Sequence, residues 1–120
     1  MKLTYRIEDE ICIVDLEGGF SQEETKETKL FFARLSDEVF KACAINLSKV
    51  IFLDSIIIGT IMSFFRKCRE KQRAMVICAI NIEVQWLFWN RYEDLLKIFE
   101  TEEEAITYLT ITNHELVVSY

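Results

Sequence analysis

The stretch FLDSIIIG, residues 52–59, places a carboxylate and a hydroxyl immediately before an isoleucine run that ends in a glycine. Counted with helical periodicity from Ser55, the apolar side chains fall on one face: Ile57, Ile58, Ile61, Phe65 and Cys68. The other side carries polar residues: Thr60, Ser63, Lys67 and Glu70. The pattern predicts an amphipathic helix over 55–70 that packs on a sheet.

Asp54 and Ser55 stand at the predicted start of this helix. The unpaired amides and the dipole at a helix N-terminus favour an acceptor oxygen or an added negative charge, so either residue can serve as a helix cap. Ile56 falls on the polar side of the helix and is expected to be exposed. An exposed isoleucine beside a helix-terminal serine indicates a surface for interaction.

Short apolar runs on both sides of this helix are typical of strands that are covered on both faces. They are LTYRI (3–7), ICIVDL (11–16), ACAINL (42–47), AMVICAI (74–80) and a weaker run, KIF (97–99). Only residues 8–10 separate the first two runs, which favours a hairpin. The later runs alternate with helical segments, as in β-α-β units.

Helix starts are marked by capping residues rather than by proline, which the chain lacks. Ser21 with Glu24, and Thr101 with Glu104, have the spacing of a capping box, and Asn81 is a further N-cap candidate. The element order is ββαβαβαβα. It predicts an α/β fold with a mixed, mostly parallel sheet of about five strands, an antiparallel edge strand and about four helices.

The composition indicates one soluble domain over residues 1–120, with 51% hydrophobic and 28% charged residues. A net charge of −6 argues against nucleic acid as a partner, because phosphate binding requires an excess of Lys and Arg. The apolar runs are far shorter than the ~20 residues of a membrane-spanning helix, so no membrane insertion is expected. Acidic residues also stand where a secretory signal would be apolar, which favours a cytoplasmic protein.

The sequence offers little for chemistry. The chain has four widely spaced cysteines, Cys12, Cys43, Cys68 and Cys78, which lie among apolar neighbours. They form no CxxC pair and have no histidine at ligand spacing, so we expect reduced core thiols and no metal site. A nucleophile–base pair and a phosphate-binding loop are also lacking, so we expect neither enzymatic activity nor a cofactor.

Residues 46–61, NLSKVIFLDSIIIGTI, resemble the signature of STAS domains (sulfate transporter and anti-sigma factor antagonist). That signature has an acidic or amide residue, Leu-Ser, and then V-x-F-hydrophobic-D-S-S/T-G-L-G. EICIVDLEGGF (10–20) is similar to the second strand and glycine turn of the family, and residues 74–106 are similar to its later strands and final helix. The resemblance extends over about residues 3–109, so we expect residues 110–120 to be a C-terminal extension.

In bacterial anti-sigma factor antagonists of this family, the serine after the motif aspartate is phosphorylated by the partner, an anti-sigma factor serine kinase. The matching position is Ser55. A phosphate adds a charge of about −1.5 to −2, which a helix N-terminus tolerates and a partner's acidic or apolar surface repels. The resemblance therefore implies a non-enzymatic binding switch whose partner surface comprises Asp54, Ser55, Ile56, Gly59, Thr60 and Ser63.

Two departures from the signature leave an alternative open. Ile56 replaces a small residue and Ile57 replaces the first glycine, which adds bulk where a kinase would dock. Ser55 is then either a working phosphorylation site or a cap in a domain that binds without phosphorylation. The second case matches STAS accessory or regulatory subunits of lipid ABC systems, sulfate transporters or sensory complexes.

A second surface is predicted on the helix after Asn81, where Ile82, Trp86 and Trp89 line up opposite the predicted core face. Such a stripe has to be covered, since Trp is enriched at interface hot spots. The candidates are the tail at 108–120, which ends in the strand-like ELVVSY, a second copy of the chain in a homodimer, and a heterologous partner.

Overall fold

The computed structural model describes the backbone of residues 1–80 and 96–118 and the side chains of residues 1–80 and 96–113. Its strands are β1 (Lys2–Glu8), β2 (Ile11–Phe20), β3 (Ala42–Leu53), β4 (Ala74–Cys78) and β5 (Ile98–Phe99). Its α-helices are α1 (Thr25–Ser36), which follows a 3-10 turn at Gln22–Glu24, α2 (Ser55–Glu70) and α3 (Glu102–Val118). The further helix predicted after Asn81 lies outside the described residues.

The five strands form one sheet in the order β1-β2-β3-β4-β5. β1 pairs antiparallel with β2, and the other neighbours are parallel. This confirms the predicted α/β fold with a mixed sheet and an antiparallel edge strand. Because β2, β3 and β4 are consecutive neighbours joined by crossovers of one hand, α1 and α2 lie on the same face of the sheet. α3 covers the other face.

The predicted hairpin between β1 and β2 is confirmed. Asp9 and Glu10 form a two-residue loop with φ angles of 51° and 68°, which is the backbone of a type I′ turn. In such a turn Glu8 and Ile11 close the hairpin with a hydrogen-bonded pair. The hydrogen-bonding direction of every residue in β1 follows from this pair.

The core lies mainly between the sheet and the α1–α2 layer. Inward residues of β2 and β3 alternate, so that Val14 and Ile45 face α1 and α2 while Ile13 and Ala44 face α3. The four cysteines are free and buried, which confirms the prediction of core thiols. Burial raises the pKa of Cys68 to about 12, so this thiol is a poor nucleophile at neutral pH.

Polar contacts hold the N-terminus of α3 against the sheet. Glu102 accepts hydrogen bonds from Arg6 Nη2 at 3.0 Å and from Asn46 Nδ2 at 3.0 Å. Thr101 Oγ1 accepts from the Glu104 amide at 3.1 Å, which confirms the predicted helix start. At the start of the 3-10 turn, Glu24 accepts from the Ser21 amide at 2.8 Å, as the capping box predicts.

Three sequence-based assignments are wrong, at the end of the tail and at the ends of β2 and β3. The end of the tail, predicted as strand-like, is helical through Val118, because adding residues to a helix that has already started outweighs the weak local preference of β-branched residues. β2 and β3 also run further than predicted, to Phe20 and Leu53. They stay paired through register shifts near Asp15 and Gly18, which the period of the sequence does not show.

Candidate functional site

The site begins at the turn from β3 into α2. Asp54 is the N-cap of α2, and its Oδ1 accepts a hydrogen bond from the Ile56 amide at 2.8 Å. The amide of Asp54 donates to the carbonyl of Phe20 at 2.8 Å, which joins the turn to the end of β2. The backbone and the side chain of Asp54 therefore both fix the position of the residue that follows it.

Ser55 is the first residue of α2 and is exposed to solvent. Because Asp54 supplies the capping oxygen, the Ser55 hydroxyl is not needed for it. Among the described residues, this hydroxyl has no hydrogen-bond partner. It stands at the positive end of the helix dipole, which stabilises an added negative charge.

The three isoleucines after Ser55 divide as the helical periodicity predicts. Ile57 and Ile58 are buried at 0% and 4% relative exposure, which confirms them as core residues. Ile56 is 42% exposed, which confirms that it lies on the surface. The isoleucine at 57, where the family signature has glycine, is thus accommodated inside the core rather than in the turn.

Sequence reasoning missed two exposed apolar residues at the end of β3. Ile51 is 75% exposed and Phe52 is 50% exposed. Together with Asp54, Ser55 and Ile56 they form what we call the β3–α2 surface. No sequence signal marks them, because Val50 to Leu53 form a continuous apolar run in which only Val50 and Leu53 are buried.

Gly19 in β2 positions one of these residues. Gly19 pairs with Phe52 across the parallel strands, and a Cβ atom built on Gly19 would lie 2.4 Å from Phe52 Cε1. Atoms that close would have to move, so the aromatic ring occupies the space that a side chain at residue 19 would need. Gly19 of EGGF thus leaves room for an exposed aromatic ring at the site.

Three predicted partner-binding residues lie further along α2. Ser63 is exposed and Gly59 is half-buried with open space beside it, but Thr60 is only 7% exposed. The predicted exposure of Thr60 is wrong because α1 packs against that side of α2, where the rings of Phe32 and Phe64 lie 4.8 Å apart. The Thr60 hydroxyl donates to the Ile56 carbonyl at 3.1 Å and faces a groove between the two helices.

Other predicted features are only partly accessible. The stripe of Ile82, Trp86 and Trp89, with the homodimer predicted through it, lies outside the described residues. Within the described part of the chain, no helix is long and apolar enough to cross a membrane. In the same part, Cys, His, Asp and Glu side chains nowhere gather in threes as a metal site requires.

The comparisons with known proteins agree with this fold. The family model of the STAS domain matches residues 2–105. An anti-sigma factor antagonist from Mycobacterium paratuberculosis superposes with a TM-score of 0.83 at 15% identity, over 91% of this chain and 93% of that one. The Bacillus cell fate determinant SpoIIAA in its phosphorylated form superposes with a TM-score of 0.73 at 15% identity, over 89% and 98%.

A sulfate transporter family protein from Wolinella succinogenes has the same fold, with a TM-score of 0.73 at 14% identity over 88% of this chain and 89% of that one. The fold is thus an α/β domain with a mixed sheet, in which an exposed serine begins α2. The chain belongs to the STAS domain family.

Proposed function

We propose that this protein is a non-enzymatic binding switch of the anti-sigma factor antagonist type. In this proposal the β3–α2 surface docks an anti-sigma factor that is a serine kinase, and phosphorylation of Ser55 by that kinase releases it. The observation that carries the proposal is the exposed Ser55 hydroxyl, which Asp54 leaves free of any capping role. Solved neighbours that are anti-sigma factor antagonists, one of them in a phosphorylated form, support it.

The apolar part of the surface explains how a phosphate could control docking. Ile51, Phe52 and Ile56 are exposed beside Ser55, so a partner that covers them also removes water from the serine. Burying a neutral hydroxyl costs little free energy when it finds a hydrogen-bond partner. Burying a phosphate without a compensating charge costs far more. Phosphorylation would therefore weaken the complex strongly.

The free protein should tolerate the same phosphate. Ser55 lies in the first turn of α2, where the helix dipole favours negative charge by about 0.3–1 kcal/mol. The carboxylate of Asp54 next to it opposes this effect, so the two contributions largely cancel. Phosphorylation then acts on binding and leaves the fold intact. Because this switch uses ATP and a regulator of a sigma factor, its place is the cytoplasm.

The test is to incubate the purified protein with ATP and candidate kinase anti-sigma factors from the same organism. Phosphorylation should appear at Ser55 by peptide mass spectrometry, and the modified protein should leave the complex. Ser55→Ala should bind and stay bound. Ser48→Ala changes another exposed serine, which lies outside the predicted partner surface; it is the matched control and should be modified and released like the unaltered chain.

Ile56 replaces a small residue of the STAS signature and adds bulk where a kinase would dock. The test therefore separates a working phosphorylation site from a domain that binds without phosphorylation. A complex that forms through the β3–α2 surface while Ser55 stays unmodified would overturn the switch. It would favour the alternative, a STAS accessory or regulatory subunit that binds its partner without phosphorylation. If no candidate kinase binds the protein and none phosphorylates it, an anti-sigma factor is not its partner.

A further inference from the structure

The sheet ends at β1, whose outer edge is open in the described part of the chain: within residues 1–80 and 96–118, only β2 pairs with it. Since Glu8 and Ile11 form the hydrogen-bonded pair that closes the hairpin, alternate residues of β1 bond to β2. These are Lys2, Thr4, Arg6 and Glu8. The amides and carbonyls of the others, Leu3, Tyr5 and Ile7, point outward and can accept another strand.

The outward-bonding residues are the apolar ones. Tyr5 is 42% exposed and Ile7 is 38% exposed on the α1 side of the strand. Natural edge strands are usually protected by charged residues or proline at the positions that bond outward. In β1 these positions carry neither. Beside them lies a groove of about 590 Å³ between β1 and α1, to which Leu30 contributes a 49% exposed side chain.

We propose that this edge binds a second copy of the same chain, with β1 pairing antiparallel to β1 across a two-fold axis at Tyr5. This surface is separate from the β3–α2 surface, and the inference goes beyond the proposed function. In this register Tyr5 faces Tyr5 of the second copy and Leu3 faces Ile7, all with outward-pointing backbone groups. The result is a continuous ten-stranded sheet joined by about six new backbone hydrogen bonds.

The charges of β1 select this register. The strand reads KLTYRIE, so a two-fold at Tyr5 places Lys2 opposite Glu8 twice, and Thr4 opposite Arg6. Moving the axis to Thr4 would place Lys2 opposite Arg6, and moving it to Arg6 would place two arginines opposite each other. Opposite charges across a strand pair stabilise it and like charges destabilise it. Only the register at Tyr5 pairs all seven residues without a like-charge contact.

Charged residues of α1, beside the groove next to β1, are also complementary across the proposed two-fold axis. Along the groove, Glu27 and Arg34 lie on either side of Leu30. Phe31 packs against Tyr5 with 6.1 Å between ring centroids, which sets this part of α1 level with the axis. A two-fold at Tyr5 therefore brings Glu27 of one copy toward Arg34 of the other, with the two Leu30 side chains between them.

The first test measures the oligomeric state of the full chain by sedimentation velocity over a range of concentrations. We expect a species of twice the 14.2 kDa chain mass. Tyr5→Lys places two ammonium groups on the axis and should abolish the dimer, while Glu38 next to Tyr5 can still accept from the new side chain. Ile111→Lys, an equally drastic change at another exposed apolar position, should leave the dimer unchanged.

Charge exchange tests the register. Lys2→Glu and Glu8→Lys should each raise the dimer dissociation constant by about three- to thirtyfold, and the double variant should restore it. Thermal unfolding of each variant shows whether β1 itself has been disturbed. A loss that the double variant fails to restore, with all variants folded, would overturn this register.

Cross-linking gives an independent readout. In the proposed pairing the two Tyr5 Cα atoms lie about 5.5 Å apart, within disulfide range, whereas the two Ile7 residues are four positions apart along the ladder. Tyr5→Cys should form a covalent dimer with copper phenanthroline and Ile7→Cys should not; the native thiols are buried. A monomeric wild-type chain at high concentration, or a dimer indifferent to Tyr5→Lys, would overturn the proposal.

Discussion

The junction between β3 and α2 has a buried side and an exposed side that are built from the same kinds of residue. Val50, Leu53 and Ile57 are buried, with relative exposures of 4%, 6% and 0%. Ile51, Phe52 and Ile56 are interleaved with them and exposed at 75%, 50% and 42%. Residue type alone does not separate the two sides, but their positions on the strand and the helix do. The buried side should govern folding, and the exposed side should govern binding.

The largest expected effect is on the buried side. Ile57→Ala removes a fully buried side chain and should lower the free energy of unfolding by about 2–4 kcal/mol, because it leaves a cavity in the core. Urea unfolding followed by circular dichroism measures this loss. A loss below about 1 kcal/mol would mean that Ile57 contributes little to the core.

The contact between Gly19 and Phe52 joins the two sides. Gly19→Ala should lower the free energy of unfolding by at most about 1 kcal/mol, because the new methyl group overlaps the Phe52 ring and the half-exposed ring has to turn away. In a Phe52→Ala background the same change should cost much less. A double-mutant cycle measures the difference, and equal costs in both backgrounds would show that the ring does not restrict residue 19.

Removal of the cap has an effect of similar size. Asp54→Ala deletes the acceptor of the Ile56 amide and should lower the free energy of unfolding by about 1 kcal/mol. Asp54→Asn keeps an acceptor oxygen and is the matched control, with an expected loss of only a few tenths of a kcal/mol. Equal losses for the two variants would indicate that charge at the helix N-terminus, rather than the hydrogen bond, is what Asp54 supplies.

The smallest effect on stability is expected on the exposed side. Ile56→Asp should change the free energy of unfolding by less than about 0.5 kcal/mol, since an exposed acid in the first turn of a helix is tolerated. Ile57→Asp, the same substitution one residue along, should unfold the protein. Thermal denaturation separates the two, and a large loss for Ile56→Asp would place Ile56 in the core.

The sequence predicts the part of the site that depends on local periodicity. The division among Ile56, Ile57 and Ile58 follows from the helical repeat, and the hairpin follows from two short strands with a short connection. The prediction that Thr60 is exposed fails because its burial depends on α1, which lies about thirty residues earlier in the chain. No local sequence pattern encodes that contact. The exposure of Ile51 and Phe52 was missed because the strand continues past two register shifts, where the simple alternation is lost.

The most direct test of the switch compares two forms of the protein in binding to the kinase anti-sigma factor. One form is unmodified, and the other has phosphoserine incorporated at residue 55 during synthesis, so that no kinase reaction is required. Isothermal titration calorimetry should show an affinity at least about tenfold lower for the phosphorylated form, or ~1.4 kcal/mol, with nearly equal free energies of unfolding. Equal affinities for the two forms would contradict the account.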